Sequence, residues 1–489
     1  MLFLRFGPLR RSFPHILVRL LLTACALTGL AAGARPLPAP VAAALARAGV
    51  PQSAVGIVVL PLDGGPARLA HRARAPMNPA SVMKLVTTDA ALDRLGPDFT
   101  WKTRFYADGR LENGVLDGNL VIRGGGDPKW VIERITADFQ NLIALGLHEV
   151  RGDIVLDASV FEVPPHDPAA FDGEPLRPYN SSPSGLLVNF KAILLHFTPD
   201  PATRTALVAS EPPLEGLRVD ASVPLTAAPC EDWRGALRAD LTDPNHIGFA
   251  GSYSARCGDQ VWPVAYVDPA SYARRVIAAV FRAAGGQLDG RVRDGATPPN
   301  ARLLLQAQSL PLAEIIADVN KFSNNVMAKQ VFLTLSAQET GRGSFDASRA
   351  LVGRWWRQTF GPGVPPPQLD NGSGLSRDGR IAPESLALLL RHAAARQGAA
   401  VFEDSLGLAG IDGTAARMAD RGDAPDAIGN ARLKTGTLRD VAAVAGYATG
   451  LSGRRYCLVG IVNDPNAPAA RRALDALVEW VVRDRPARR

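Results

Sequence analysis

Asn78-Pro79-Ala80-Ser81-Val82-Met83-Lys84-Leu85-Val86-Thr87-Thr88 is the stretch from which the fold is read. Pro79 precedes an apolar spacing at Leu85, Ala91, Leu92 and Leu95, which predicts the start of a buried helix. Residues three apart on a helix share a face, so Ser81 Oγ and Lys84 Nζ can meet within one turn. A serine hydroxyl is a weak nucleophile until a base takes its proton, and a desolvated lysine can be that base. A Ser and a Lys three apart also arise by chance, so the rest of the chain decides.

Upstream of this stretch, the first 34 residues hold Arg5, Arg10, Arg11 and Arg19 and no acidic residue. An apolar run from Leu20 to Ala32 leads to Ala32-Gly33-Ala34, an A-x-A cleavage pattern. Residues 1–34 are expected to be a secretory signal, with a mature chain starting near Arg35. Leu22-Thr23-Ala24-Cys25 resembles a lipobox, so lipidation at Cys25 is the alternative. The protein is therefore expected in the periplasm or cell envelope, with peripheral membrane or wall association left open. No later run is long and apolar enough to span a bilayer. Outside the leader, basic and acidic side chains nearly balance, which speaks against a nucleic-acid surface. Three cysteines follow the leader. Cys230 and Cys257 flank a strand-rich stretch and are the expected disulfide in an exported protein. Cys457 lies in the buried-strand pattern Tyr456–Val462 and is expected to stay a core thiol.

At 489 residues the chain calls for two or three domains. A helix over Pro40–Ala48 and a strand over Ala54–Leu60 precede the Ser81 helix. From Trp101 the texture turns to short strands and Gly, Pro and Asp turns. Strands are expected at Trp101–Tyr106, Gly118–Arg123 and Asp153–Asp157, and between the last two a helix with Val131, Ile135, Phe139 and Leu142 on one face. This β-rich block is too long for a loop. It reads as an insertion over 101–267, between a first part at 35–100 and a second at 268–489. The second part is expected to hold helices at Ser271–Ala284, Leu312–Thr334 and Pro383–Ala395. Strands at Ala431–Thr437, Val441–Thr449 and Tyr456–Val462 follow, then a helix at Pro468–Arg483. The fold class is mixed α/β, one domain whose halves the insertion separates.

Two more motifs follow in order. Lys321-Phe322-Ser323-Asn324-Asn325 contains Ser-x-Asn at a break between helical segments. Lys434-Thr435-Gly436-Thr437 ends a strand-like run. Singly, each is a common turn or strand end. Ser-x-x-Lys, Ser-x-Asn and Lys-Thr-Gly in this order are the signature of penicillin-binding proteins and serine β-lactamases. The chain has seven lysines against 47 arginines, and three of the seven fall in or beside these motifs.

About 240 residues separate Ser81 from Ser323, and about 110 separate Ser323 from Lys434. With this spacing the chain resembles the class C low-molecular-mass penicillin-binding proteins, D-alanyl-D-alanine carboxypeptidases and endopeptidases of the bacterial wall. Gly124-Gly125-Gly126-Asp127-Pro128, Gly152–Asp157, Asp370–Arg377 and Asp412-Gly413-Thr414 also match. The resemblance implies a penicillin-binding/β-lactamase-like transpeptidase domain with a β-rich insertion. It implies a Ser81 acyl-enzyme with Lys84 as base, Ser323 relaying a proton and Asn325 holding the peptide amide. Lys434 and Thr435 would bind the substrate's carboxylate. The strand bearing Gly436 and Thr437 would pair with the stem peptide, with Ser81 and Thr437 N–H groups as the oxyanion hole. Asp157, in Leu156-Asp157-Ala158-Ser159-Val160-Phe161, matches an acidic residue that faces the amino end of diaminopimelate in related enzymes; a structural strand-edge role is its alternative. Expected partners are peptidoglycan stem peptides and β-lactams. No cofactor or metal is expected: the seven histidines are scattered, without an H-E-x-x-H. A catalytically silent wall-binding protein and a β-lactamase are the competing readings. The first has no need of all the motif residues, and the second lacks a recognisable group for rapid deacylation.

Overall fold

The computed structural model describes residues 36–484. The leader, Cys25 and the expected mature terminus at Arg35 lie outside them. Three strands that are nearly continuous apolar runs, Val55–Pro61, Val441–Thr449 and Arg455–Asn463, form the centre of an antiparallel six-stranded sheet. Such runs belong to strands covered on both faces. On one face lie the helices Ala39–Arg47 and Arg471–Val482, whose Val41, Leu45, Leu477 and Val481 enter a shared core. On the other lie the helices Lys84–Leu95, Leu312–Phe322, Asn325–Thr340, Phe345–Phe360 and Pro383–Ala395, packed around Val86, Phe332, Trp356 and Leu390. The chain enters the sheet near residue 55 and completes it only after residue 400, so its two halves are one folding unit.

The expected strands and helices are present, with shifted ends. The helix expected at Ser81 opens as a 3₁₀ turn, Ala80–Met83, and becomes α-helical at Lys84. The expected helix over Leu312–Thr334 is two helices, broken at Ser323, whose φ of 60° ends the first. Asn324 caps the second by accepting from Met327 N at 3.1 Å. The last helix starts at Arg471 rather than Pro468.

Between the halves, a seven-stranded sheet, a five-stranded sheet and a three-stranded sheet share a second core around Phe139, Phe197, Tyr253 and Phe281. The helix Pro269–Ala283 supplies Tyr272, Val276 and Phe281 to that core. The strand Arg302–Gln308 pairs antiparallel with Lys102–Glu112. We therefore propose that the inserted unit runs from 102 to 308. The texture-based boundary at 267 would cut its core. Cys230 and Cys257 are disulfide-bonded, and Cys457 is a buried thiol against the Ala387 carbonyl.

The insertion is tied back to the helical layer at several places, among them Lys129 on Asp318 at 2.5 Å and the buried Gln330. Gln330, fully buried on the Asn325 helix, accepts from Ser184 N at 2.9 Å and donates to the carbonyls of Ser184 and Gly126 at 2.9 and 3.2 Å. A side-chain amide that pairs both backbone groups of one residue sets the register of segment 178–185 against this helix.

Candidate active site

The turn before Ser81 is held by asparagines. Asn78 N donates to Asn463 Oδ1 and Asn463 Nδ2 donates to Asn78 O, both at 2.8 Å. Asn78 Oδ1 accepts from Ala80 N at 2.9 Å, and its amide donates to Ser376 O at 2.9 Å. Ala80 sits at φ 48°, a left-handed conformation that a non-glycine residue adopts at a cost of ~1–2 kcal/mol. These bonds hold that strained turn and aim the half-buried Ser81 into a cleft.

Lys84 is completely buried. Its Nζ lies 3.0 Å from Ser81 Oγ, 2.6 Å from Asn325 Oδ1 and 2.6 Å from the Ser373 carbonyl. Burial pushes its pKa well below the usual lysine value, and the Lys434 and Lys329 cations lower it further. A neutral amine has two N–H groups and one lone pair. Asn325 and Ser373 present carbonyl oxygens, which accept both N–H groups. The lone pair is then left for the Ser81 hydroxyl.

Lys434 is also completely buried, and burial lowers its pKa to about 7. Its Nζ donates to Ser323 Oγ at 2.9 Å and to Thr435 O at 2.8 Å. The left-handed backbone at Ser323 turns that hydroxyl out of the helix axis and onto the lysine. Thr435 Oγ1 is 2.8 Å from Thr414 Oγ1. Gly436 is required by close approach: a Cβ there would lie 2.5 Å from Pro79 O and 3.1 Å from Val82 N. The Lys434 strand can thus pass directly beside the Ser81 turn. Its edge partner, Gly407–Leu408, reaches only Arg432 and Leu433, so the segment from Thr435 onward borders the cleft unpaired on that side.

The cleft has a volume of about 1040 Å³ and is lined by Ser81, Ser323, Asn325, Thr435, Gly436 and Thr437 among others. The structure therefore brings the three motifs together. It does not bring Asp157 with them. That side chain is buried and does not line the cleft. Its carboxylate accepts from Ser159 N at 3.0 Å and from Thr297 N and Oγ1 at 2.9 and 2.5 Å, with Arg123 3.8 Å away. Burial opposes its ionisation, and these hydrogen bonds outweigh it to hold the pKa low. This is the geometry of the strand-edge alternative. Several residues of the site have no short motif to announce them: Asn78, Asn463, Tyr179 and Lys329. Tyr179 O accepts from Asn325 Nδ2 at 3.4 Å. Lys329, one turn beyond Asn325, is buried with its Nζ 3.3 Å from Ser181 O. Ser373 lies in the matching segment Asp370–Arg377, but its carbonyl's partner could not be read there.

A family model described as D-Ala-D-Ala carboxypeptidase 3 (S13) matches residues 37–483. The chain belongs to that family. The S13 assignment agrees with the motif order and the α/β architecture. The chain is 25% identical over 390 residues to D-alanyl-D-alanine carboxypeptidase DacB of Haemophilus influenzae, covering 78% of this chain and 80% of the relative. It is 28% identical over 443 residues to a D-alanyl-D-alanine carboxypeptidase of Actinomadura sp., covering 86% and 80%. The crystal structure of penicillin binding protein 4 from Haemophilus influenzae superposes with a TM-score of 0.72 at 23% identity, covering 90% of this chain and 99% of that one. The expected fold, a penicillin-binding/β-lactamase-like transpeptidase domain carrying a β-rich insertion, is thereby confirmed.

Proposed function

We propose that this chain hydrolyses D-alanyl-D-alanine bonds of peptidoglycan, and the D-alanyl–diaminopimelate bonds of cross-links, through an ester on Ser81. The observation that carries this is the seat of Lys84, whose two carbonyl partners leave its lone pair to Ser81. Ser81 Oγ attacks the D-alanyl carbonyl carbon as its proton passes to Lys84 Nζ. The N–H groups of Ser81 and Thr437 receive the developing oxyanion. Thr435 and Lys434 bind the carboxylate of the leaving residue. Ser323, bonded to Lys434, delivers a proton to the leaving amine as the C–N bond breaks. Water then attacks the ester, and Ser81 recovers its proton. Asn325 holds both Lys84 and the substrate amide. The two curated relatives are named as carboxypeptidases of this specificity, and the structural relative as a penicillin-binding protein. A β-lactam ring presents the same acyl group without a departing amine, so it should leave a slowly hydrolysed adduct.

The substrate places the enzyme outside the cytoplasm, and the leader pattern at 1–34 supplies the export route. Among the described residues no helix is long and apolar enough to cross a membrane. Intact-mass spectrometry after treatment with fluorescent penicillin, followed by peptide mapping, tests the assignment. One adduct on the peptide containing Ser81 is expected. An adduct elsewhere, or undiminished labelling of Ser81→Ala, would overturn it.

A further inference from the structure

The cleft continues past Thr435 to a region the hydrolytic mechanism does not use. Thr414, bonded to Thr435, lies in the 3₁₀ turn Gly413–Ala416 that leads into the short helix Arg417–Arg421. Arg417 and Arg421 line the cleft there, and so does Arg471 at the start of the final helix. Arg421 is bidentate on the buried Asp475. That pair is neutral, and it fixes one arginine. The side chains of Arg417 and Arg471 make no hydrogen bond or ion pair among the described residues. Burial and then the Arg421 and Arg417 cations push the Arg471 pKa down, against the pull of Asp475. A guanidinium does not lose its proton in this range, so Arg471 stays charged while partly desolvated and beside two like charges. Over the whole cleft, five arginines face two aspartates, and Arg417 and Arg471 are two of the guanidiniums that stand without a carboxylate partner.

We infer that Arg417 and Arg471, braced by the Arg421–Asp475 pair, form a subsite for a carboxylate on the leaving part of the substrate. The direction follows from the proposed hydrolysis, on which the inference rests. Thr435 takes the carboxylate of the residue that departs. Groups beyond Thr435, on the Thr414 side, therefore belong to the departing chain. When a terminal D-alanine leaves, that chain is one residue with one carboxylate, and Thr435 and Lys434 consume it. When a cross-link is cut, the departing group is a whole stem peptide with further carboxylates. Guanidiniums suit these because each offers two parallel N–H groups to one carboxylate. The subsite thus favours cross-linked over terminal substrates.

The test compares the mature enzyme with Arg417→Gln/Arg471→Gln on two substrates, a purified cross-linked muropeptide dimer and a short acylated D-Ala-D-Ala tripeptide. The ratio of kcat/KM for dimer to tripeptide should fall about tenfold in the double variant, the order expected for two charge-assisted contacts, one exposed and one half-buried. A ratio within twofold of the native value overturns the subsite. A dimer amidated only at the other carboxylates of the departing stem, with the one at the scissile bond left free for Thr435 and Lys434, supplies a second arm that needs no folded variant. The native enzyme should cut the amidated dimer about tenfold more slowly, and equal rates overturn the proposal. Failure of Ser81 to take a penicillin adduct in the native enzyme would instead defeat the hydrolytic reading, so the two failures are distinguishable.

Discussion

Lys84 shows what one residue owes to its surroundings. A free lysine is protonated at neutral pH and cannot act as a base. Burial and two neighbouring cations change this, and the resulting cost falls on stability. The folded pKa lies below the unfolded one. Between the two values the unfolded chain binds the extra proton, so stability rises with pH up to the ordinary lysine value of 10.5. Lys434 adds a second such window, from about 7 to 10.5. Lys84→Met should abolish penicillin acylation yet unfold at a temperature no lower than the native protein at pH 7, and its advantage should shrink at pH 9. Thermal unfolding at both pH values checks this; a marked loss of stability at pH 7 would contradict it. The same two lysines shape the activity profile. Acylation should rise as Lys84 loses its proton and fall as Lys434 loses its own, near pH 7 in the free enzyme. Lys434→Ala should remove the alkaline limb of kcat/KM and weaken binding of carboxylate-bearing substrates.

Among the elements, the Lys434 strand matters through what it lacks. Gly436 lets the backbone pass the Pro79 carbonyl, and that contact sets the distance between Lys434 and Ser81. Gly436→Ala should force the strand away from the Ser81 turn. We expect a loss of at least ~10-fold in acylation rate, since small displacements of reacting groups are costly. Stability should fall by ~1–3 kcal/mol, as for other overpacked sites. Stopped-flow acylation and denaturant unfolding measure the two. Native acylation by this variant would show that the contact relaxes without consequence. The broken helix at Ser323 follows similar logic: a continuous helix would carry the serine past Lys434, whereas the left-handed residue stops it there.

In the whole molecule the insertion acts as a wall of the site, held by Gln330 and by Asn325. Gln330→Leu leaves the Ser184 backbone groups without partners, at a cost of ~1–3 kcal/mol. We expect KM for D-Ala-D-Ala peptides to rise severalfold, because the Tyr179 side of the cleft loses its anchor. An unchanged KM would mean that the remaining contacts hold the wall. The disulfide lies farther out. Cys230→Ser should lower the stability of the insertion by ~3 kcal/mol through loop entropy, with little effect on acylation of Ser81. Limited proteolysis should cut the variant first within residues 226–260; coincident loss of labelling would show tighter coupling between the two units.

Chain geometry alone made much of this legible. Ser81 and Lys84 meet because three residues nearly complete a turn, and the sheet strands announce themselves by apolar runs. The order of three motifs named the chemistry, and the flanking of a strand-rich stretch paired Cys230 with Cys257. Other features exist only once distant segments are brought together. Lys84 receives its two carbonyl partners from positions 241 and 289 residues away, and its protonation state depends on them and on burial. Asp157 matched a binding segment in sequence, but Thr297, 140 residues on, encloses its carboxylate. The end we propose for the insertion was likewise hidden, since composition does not reveal that Arg302–Gln308 returns to pair with Lys102–Glu112. The convergence of Arg417, Arg421 and Arg471 on one cleft wall also exists only in the fold. Local periodicity is set by bonds along the chain, whereas desolvation, register and electric field are properties of what folding places nearby.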